Sequence, residues 1–398
     1  MDHLATLLQL PASEKLERGL MHTPREIAQQ PSTWLRTFRQ LQSRREEIAR
    51  FLAATGIGGN PAQRPVVFLI GAGTSDYIGH SLQHLLRRMW QCEVFPVAST
   101  TLLTDFADYV QPGRSALWIS FSRSGDSPEG IAVLERALEE CPQIAHVLIS
   151  CNASGRMMKA VEGRARCLAI VLDEATNDRG LAMTSSFTNM LVAGQFLGYT
   201  GDVAAYEPAV ETLAQAGESL LPRAATLAAE LAGGSSTRAC FVGSGGLAGA
   251  AMESALKVLE LTAGRVLTMS QSTLGLRHGP MAALDQDTLL VAFVSSQPPR
   301  RYYELDLLRE IGSKGLVRTR VAVAVNPHGL HAEAERVLSP DDESPETAGA
   351  IPDACRPALD VIFGQLLGLF ASIQAGLKPD IPSPNGAISR VVPELDVY

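Results

Sequence analysis

Hydrophobic positions along the chain fall into short runs that alternate with stretches of helical spacing. Val66–Ile70, Cys92–Val97, Ala116–Phe121, His146–Ser150 and Cys167–Leu172 are near-continuous apolar runs, the pattern of strands buried on both faces. Segments between them, such as Glu129–Glu140, space their apolar residues as a helix does. This alternation predicts parallel strands joined by crossover helices, a doubly wound α/β sheet. Upstream, Thr23-Pro24-Arg25-Glu26 sets an N-cap residue, a proline at the first helical position and a glutamate three residues after the cap, which predicts a capping box opening a short helix. An amphipathic helix is predicted from about Thr33 to Ala54. The stretch Gly56–Pro65, rich in Gly, Pro and Asn, marks a linker.

The first strand and its turn recur. Phe68-Leu-Ile-Gly71-Ala-Gly73-Thr74 is echoed 172 residues later, counted from Gly71 to Gly243, by Cys240-Phe-Val-Gly243-Ser-Gly245-Gly246. Each is an apolar run entering a glycine turn and then a helix, so the chain reads as a duplication. The second half predicts strands near Leu289–Ser295 and Arg320–Val325, an acidic loop over Ser339–Pro352 and a helix over Leu359–Ala375. Pro379, Pro382, Pro384 and Gly386 then exclude helix and predict an extended tail laid over the body. The expected organisation is a helical segment over 1–60, one α/β domain over 61–205, a second over 206–378 and the tail over 379–398.

Composition agrees with two cores, because 398 residues exceed the roughly 250–300 at which a single core stops growing. With 46% apolar and 19% charged residues, the chain has globular rather than disordered character. Thirty-four Lys and Arg against 42 Asp and Glu give a net charge of −8, which argues against general affinity for nucleic acid or for an anionic membrane surface. An anionic ligand would need a local trap. No run approaches the roughly 18 uninterrupted apolar residues of a membrane span, and Thr288–Val294 and Leu366–Phe370 read as core. Asp2 and Glu14 speak against a signal peptide, so a cytoplasmic location is expected. The six cysteines and eight histidines show no C-x-x-C and no zinc-like spacing. Reduced, mostly buried thiols are expected, with Cys151 and Cys167 as candidates for the surface, and no metal.

Candidate chemistry gathers at the predicted strand ends. Gly71-x-Gly73-x-x-Asp76 lacks the third glycine of a dinucleotide fingerprint, and the glycines after Gly243-x-Gly245 are misplaced for one. No nicotinamide or other cofactor is therefore expected. Gly73-Thr74-Ser75 instead puts two hydroxyls at a helix start, where orphan N–H groups and the helix dipole favour a phosphate; simple N-capping is the alternative. Ser120, Ser122, Ser124 and Ser127 crowd one turn before Pro128, more hydroxyls than a cap requires. With Arg123 among them they suit a phosphate dianion, making Gly73, Thr74, Ser75, Ser122, Arg123, Ser124 and Ser127 the candidate anion site. The predicted helix Leu247–Ala263 is apolar except for Glu253, Lys257 and Glu260, which share one stripe. That stripe reads either as a solvated face, with a pair worth roughly 0.2–0.5 kcal/mol, or as a buried acid–base face. Arg277-His278-Gly279-Pro280 holds an imidazole out on a loop, and a group titrating near neutral pH suits sugar-ring opening.

Together these motifs resemble the sugar isomerase (SIS) domain family, whose phosphosugar sites use Ser and Thr hydroxyls at strand ends. Ser122-Arg123-Ser124-Gly125-Asp126-Ser127 is similar to its Ser-Gln-Ser-Gly-Glu-Thr turn. Glu253-x-x-x-Lys257-x-x-Glu260 and His278-Gly279-Pro280 are similar to the catalytic helix and His loop in the isomerase half of glucosamine-6-phosphate synthase; no glutaminase half precedes them. His22–Pro31, Thr176–Phe187 and Asp380–Val392 resemble signatures of the branch containing tagatose-6-phosphate ketose/aldose isomerases and galactosamine-6-phosphate deaminases. Arg123 departs from the synthase's Gln, Met183 and Ser185 stand where it has a Ser and a Lys, and Arg390 is nearest to its tail lysine.

The resemblance implies two SIS domains, each a doubly wound, mainly parallel sheet flanked by helices, and an enzyme acting on an open-chain amino-sugar 6-phosphate. Galactosamine 6-phosphate would give tagatose 6-phosphate and ammonia. His278 would open the ring, Glu260 would move a proton between C2 and C1, and Lys257 would stabilise developing charge or form a Schiff base, with Glu253 positioning Lys257 or the sugar hydroxyls. A homodimer is implied, with His278 reaching the partner's site. Simple aldose–ketose isomerisation and noncatalytic sugar-phosphate sensing are the alternatives.

Overall fold

The computed structural model describes residues 2–111, 113–340, 351–391 and 396. Its strands form two five-stranded parallel sheets. The first has the order β2-β1-β3-β4-β5, from Val66–Gly71 (β1), Val94–Ala98 (β2), Ala116–Ser122 (β3), Ile144–Ser150 (β4) and Cys167–Val171 (β5). The second has the order β10-β9-β8-β6-β7, from Arg238–Gly243 (β6), Leu267–Ser272 (β7), Thr288–Phe293 (β8), Thr319–Val323 (β9) and Arg336–Leu338 (β10). Counted within each half, both follow the flavodoxin-like order 2-1-3-4-5. The duplication is close in register: β1 and β6 start and end at positions 172 apart, and so do the starts of β3 and β8.

The predicted α/β class and the five strands of the first half are present. Strands β1, β3, β4 and β8 are buried along their whole length, which is why they read as continuous apolar runs. Pro96 sits in β2, an edge strand, where its missing N–H breaks no ladder. The sequence reading missed β7, whose Leu-Thr-Met-Ser-Gln-Ser run is half exposed, and β10, which has three residues. The single helix expected over residues 33–54 is two, Gln30–Ser43 and Arg45–Ala54, broken at Arg44. Cys151 is fully buried, not at the surface.

By compactness the chain divides into two units that do not follow linear order. The first-sheet unit comprises residues 33–177, 185–207 and 388–398; the second-sheet unit comprises 1–32, 178–184 and 208–387. The N-terminal helical segment and the C-terminal tail are thus each divided between the two units. Of the acidic loop expected over Ser339–Pro352, residues 341–350 lie outside the described residues, as do the tail residues 392–395, 397 and 398.

In the second-sheet unit the helices Leu247–Leu261 and Pro357–Gln374 pack side by side. Gly364 and Gly368 permit this: a Cβ at Gly364 would lie 2.3 Å from the Cβ of Ser254, and one at Gly368 would lie 2.9 Å from the carbonyl oxygen of Lys257. The Pro357–Gln374 helix is long and apolar enough to cross a membrane, but 83% of it is buried inside the protein, as a core helix is.

Candidate active site

In the first-sheet unit, β1 ends at Gly71 and the chain turns through Gly73, whose φ of +55° favours glycine, into the helix Thr74–Trp90. Gly73 is the N-cap, so the hydroxyls at positions 74 and 75 stand one and two residues inside the helix. Both residues are buried at the helix start. At the end of β3, Ser122 Oγ accepts the Gly125 N–H at 3.0 Å and Ser124 Oγ accepts the Asp126 N–H at 3.2 Å. A hydroxyl used this way is held in place and retains its own proton to donate. Ser127 has a second duty as N-cap of the helix Pro128–Glu140, accepting the Gly130 N–H.

The turn is braced from the end of β4. Asn152 Nδ2 donates to the Ser124 carbonyl at 2.7 Å, and the Asp126 carboxylate accepts the Arg156 N–H at 2.9 Å. Arg123 is 6% exposed and donates to the carbonyl oxygen of Arg390 at 2.5 Å, while Arg390 Nη2 donates to Asn177 Oδ1 at 2.7 Å. Arg123 therefore anchors part of the tail. Asn152 was not a sequence candidate, since a bond from a side chain to a carbonyl 28 residues away leaves no local signal.

In the second-sheet unit, Glu253 and Lys257 are wholly buried and Glu260 is 17% exposed. Lys257 Nζ lies 3.2 Å from Glu253 Oε1 and bonds to Glu260 Oε1. The solvated-face reading of this stripe is thereby overturned. Burial alone would lower the Lys257 pKa, but the two carboxylates outweigh it and the net direction is up. The amine is held as ammonium. His278 follows a 3₁₀ turn, is exposed, and makes no hydrogen bond or ion pair to the three helix residues. The structure thus gathers Glu253, Lys257 and Glu260 and leaves His278 apart on its loop. Among the described residues no group of three or more His, Cys, Asp or Glu could hold a metal ion.

The second repeat's own strand-end turns are occupied from within. Glu304 accepts the Ser295 N–H at 2.7 Å, and the Ser244 hydroxyl donates to Thr273 at 2.8 Å. Asp353 accepts the Ser296 N–H at 3.0 Å and the Ser295 hydroxyl. Asp353 is held in turn by the wholly buried Arg356, which also pairs with Asp360 at 2.7 Å.

A second acidic cluster was also missed. The predicted capping box is absent: His22 is the N-cap, and the Thr23 N–H and hydroxyl both donate to Asp380 Oδ1 at 2.8 Å. Glu26 instead accepts the Arg179 N–H at 2.6 Å and that of Gly180, and Asp178 accepts the Thr184 N–H at 2.7 Å. The three branch signatures therefore meet in one carboxylate cluster. Burial first, then Asp178 and Asp380, push the Glu26 pKa up to about 8 against the pull of its two N–H bonds.

No family model matches the chain. It is 37% identical to a Streptomyces coelicolor protein with the provisional name D-galactosamine-6-phosphate deaminase AgaS, over 98% of each chain. It is 32% identical to the Shewanella sp. D-galactosamine-6-phosphate deaminase AgaS, over all of this chain and 97% of the relative. Among solved structures, a Clostridium novyi protein provisionally named tagatose-6-phosphate ketose/aldose isomerase superposes with a TM-score of 0.89 at 28% identity, covering 96% of each chain.

Proposed function

The chain belongs to the D-galactosamine-6-phosphate deaminase AgaS family, and from that premise we propose that it converts galactosamine 6-phosphate and water to tagatose 6-phosphate and ammonia. Phosphate is held by Thr74, Ser75, Ser122 and Ser124, with Gly73 opening the backbone and Arg123 and Ser127 adding a charge and a hydroxyl. Neutral donors at a helix start favour a dianion through N–H groups and the helix dipole, to which Arg123 adds one positive charge. This interaction is remote from the reacting carbons, so its binding energy serves to orient them.

His278 protonates the ring oxygen as O1 gives up its proton, leaving an aldehyde at C1. Glu260 then removes the proton at C2 while O1 takes back the proton it gave up in ring opening, forming an enaminol, and Glu260 returns its proton to C1, leaving C2 as an iminium. Water adds at C2, the C–N bond breaks, and ammonia leaves a ketone. Glu260 suits this work because its carboxylate is partly exposed whereas that of Glu253 is fully buried. Lys257, held protonated between the two, stabilises the oxyanion developing on O1. A Schiff base would need the neutral amine, so the charged form favours the electrostatic role. The observation that carries this reading is the buried Glu253, Lys257 and Glu260 constellation on one helix face.

Purified protein given galactosamine 6-phosphate is expected to release ammonia and ketose 6-phosphate in equal amounts. Ketose formed only from an aldose lacking the amine would favour the simple isomerase, the reading suggested by the name of the Clostridium novyi neighbour. Binding without turnover would favour a sensor.

We further propose that the enzyme is a cytoplasmic homodimer in which His278 serves the partner's site. Its exposure and its lack of bonds to the helix residues support this. Mixing Glu260→Gln with His278→Ala subunits should restore about a quarter of wild-type activity, one intact site in half of the dimers. No recovery would count against shared sites.

A further inference from the structure

The first sheet has a second recess, at the opposite ends of its strands from the hydroxyl turns. Val66, Ala116 and Ile144, which open β1, β3 and β4, line a cavity of about 420 Å³, within the range of small-molecule sites. Its walls are aromatic. The Phe68 ring stacks on Trp118 at 6.1 Å and meets Tyr109 and Phe95 edge-on at 6.1 and 6.4 Å. Phe95 and Tyr109 are 40% and 37% exposed, so large aromatic surfaces stand open to water.

Trp118, 1% exposed, has an indole Nε1 with no hydrogen-bond partner. Such a buried donor is costly while unmet. Next to it, 5.6 Å from the Trp118 ring, the buried His146 has no partner for either ring nitrogen. Gln111 and Gln143 add amide donors and acceptors to the lining. Flat aromatic walls edged by the amides of Gln111 and Gln143 describe a nitrogen heterocycle better than an aliphatic ligand.

A neighbouring cavity of about 570 Å³ shares Glu93 and Phe95 with the first and is lined by Arg64 and Arg87. Arg87 lies over the Phe95 ring at 5.8 Å. Each guanidinium donates to nearby carbonyls, Arg64 to Gln91 and Arg87 to Val94, and retains further N–H groups for an anion. Glu93 is neutralised by Arg114. Phosphate chemistry is thus available one wall away from the aromatic recess.

We propose that the two adjoining cavities form a nucleoside monophosphate site, with the base among Phe68, Phe95, Tyr109 and Trp118 and the phosphate at Arg64 and Arg87. Calorimetric titration of the full chain with adenosine 5′-monophosphate should show saturable binding. Adenosine should bind about tenfold more weakly. Tyr109→Ala should weaken both ligands about tenfold, and Arg64→Ala should bring the nucleotide down to the affinity of the nucleoside. Both side chains are at least partly exposed, so an unchanged melting temperature serves as the folding control. Ser124→Ala, at the other end of the strands, should leave nucleotide binding unchanged. The proposal is overturned by absence of saturable binding, by equal affinity for nucleoside and nucleotide, by Tyr109→Ala binding like wild type, or by loss of binding in Ser124→Ala.

Discussion

The two repeats share a topology and differ in what fills their strand-end turns. In the first, the turn after β3 presents hydroxyls and one arginine, and the Ser122 and Ser124 hydroxyls accept N–H groups of the same turn. In the second, the corresponding turn after β8 gives its N–H groups to Glu304 and Asp353. Glu304 and Asp353 thus occupy the turn that corresponds to the proposed phosphate turn of the first repeat. On the proposed function, the first repeat's turn takes its anion from solution, whereas the second repeat's turn is met by carboxylates of the chain itself, and the helix at 247–261 supplies the acid–base groups.

The largest expected effect tests that division of labour at the helix. Glu260→Gln keeps a hydrogen-bond acceptor for Lys257 but cannot take a proton. Turnover should fall about a thousandfold with little change in KM, because the proposed phosphate contacts belong to the other repeat. Steady-state kinetics on galactosamine 6-phosphate checks this. Activity within tenfold of wild type would remove Glu260 from the proton transfer.

The next expectation is a double dissociation between the turns. Asp353→Ala leaves the wholly buried Arg356 with Asp360 as its remaining carboxylate, and should destabilise the protein by about 3 kcal/mol, read as a lower denaturation midpoint with KM unchanged. Ser124→Ala should do the reverse, raising KM about tenfold, the loss of a hydrogen bond to a charged group, while the midpoint stays put. A rise in KM in Asp353→Ala, or a large loss of stability in Ser124→Ala, would mean that the two turns are not divided in this way.

The sequence was informative wherever the relevant contact is local. Continuous apolar runs revealed β1, β3, β4 and β8 because those strands are buried on both faces. The hydroxyl-rich turn and the Glu253, Lys257 and Glu260 stripe were visible because each lies within one turn or one helix. Its limit was range. Thr23 and Glu26 look like a capping box, yet the acceptor for Thr23 is Asp380, 357 residues away, and Glu26 caps backbone at Arg179 and Gly180. The anions in the second turn were equally hidden, since nothing near Asp353 marks it as the acceptor for Ser295 and Ser296. Strand β7 escaped because its half-exposed edge carries mixed residues.

The last expectation concerns the carboxylate cluster, where the second unit's preference for internal acids is carried furthest. Glu26 has Asp178 and Asp380 near it, and its pKa stands at about 8 against an ordinary 4.5. Between these values the folded protein holds a proton that the unfolded chain has released. By linkage, the contribution of this group to stability is fully present below about pH 4.5 and is lost as pH rises toward 8. Glu26→Gln fixes the neutral form in both states, so the variant's denaturation midpoint, relative to wild type, should improve steadily from pH 5 to pH 8. Its remaining amide oxygen can still accept an N–H from Arg179 or Gly180, which keeps the local fold. A constant difference across that range would show that Glu26 is ionised in the folded protein, with its N–H bonds outweighing burial and its acidic neighbours.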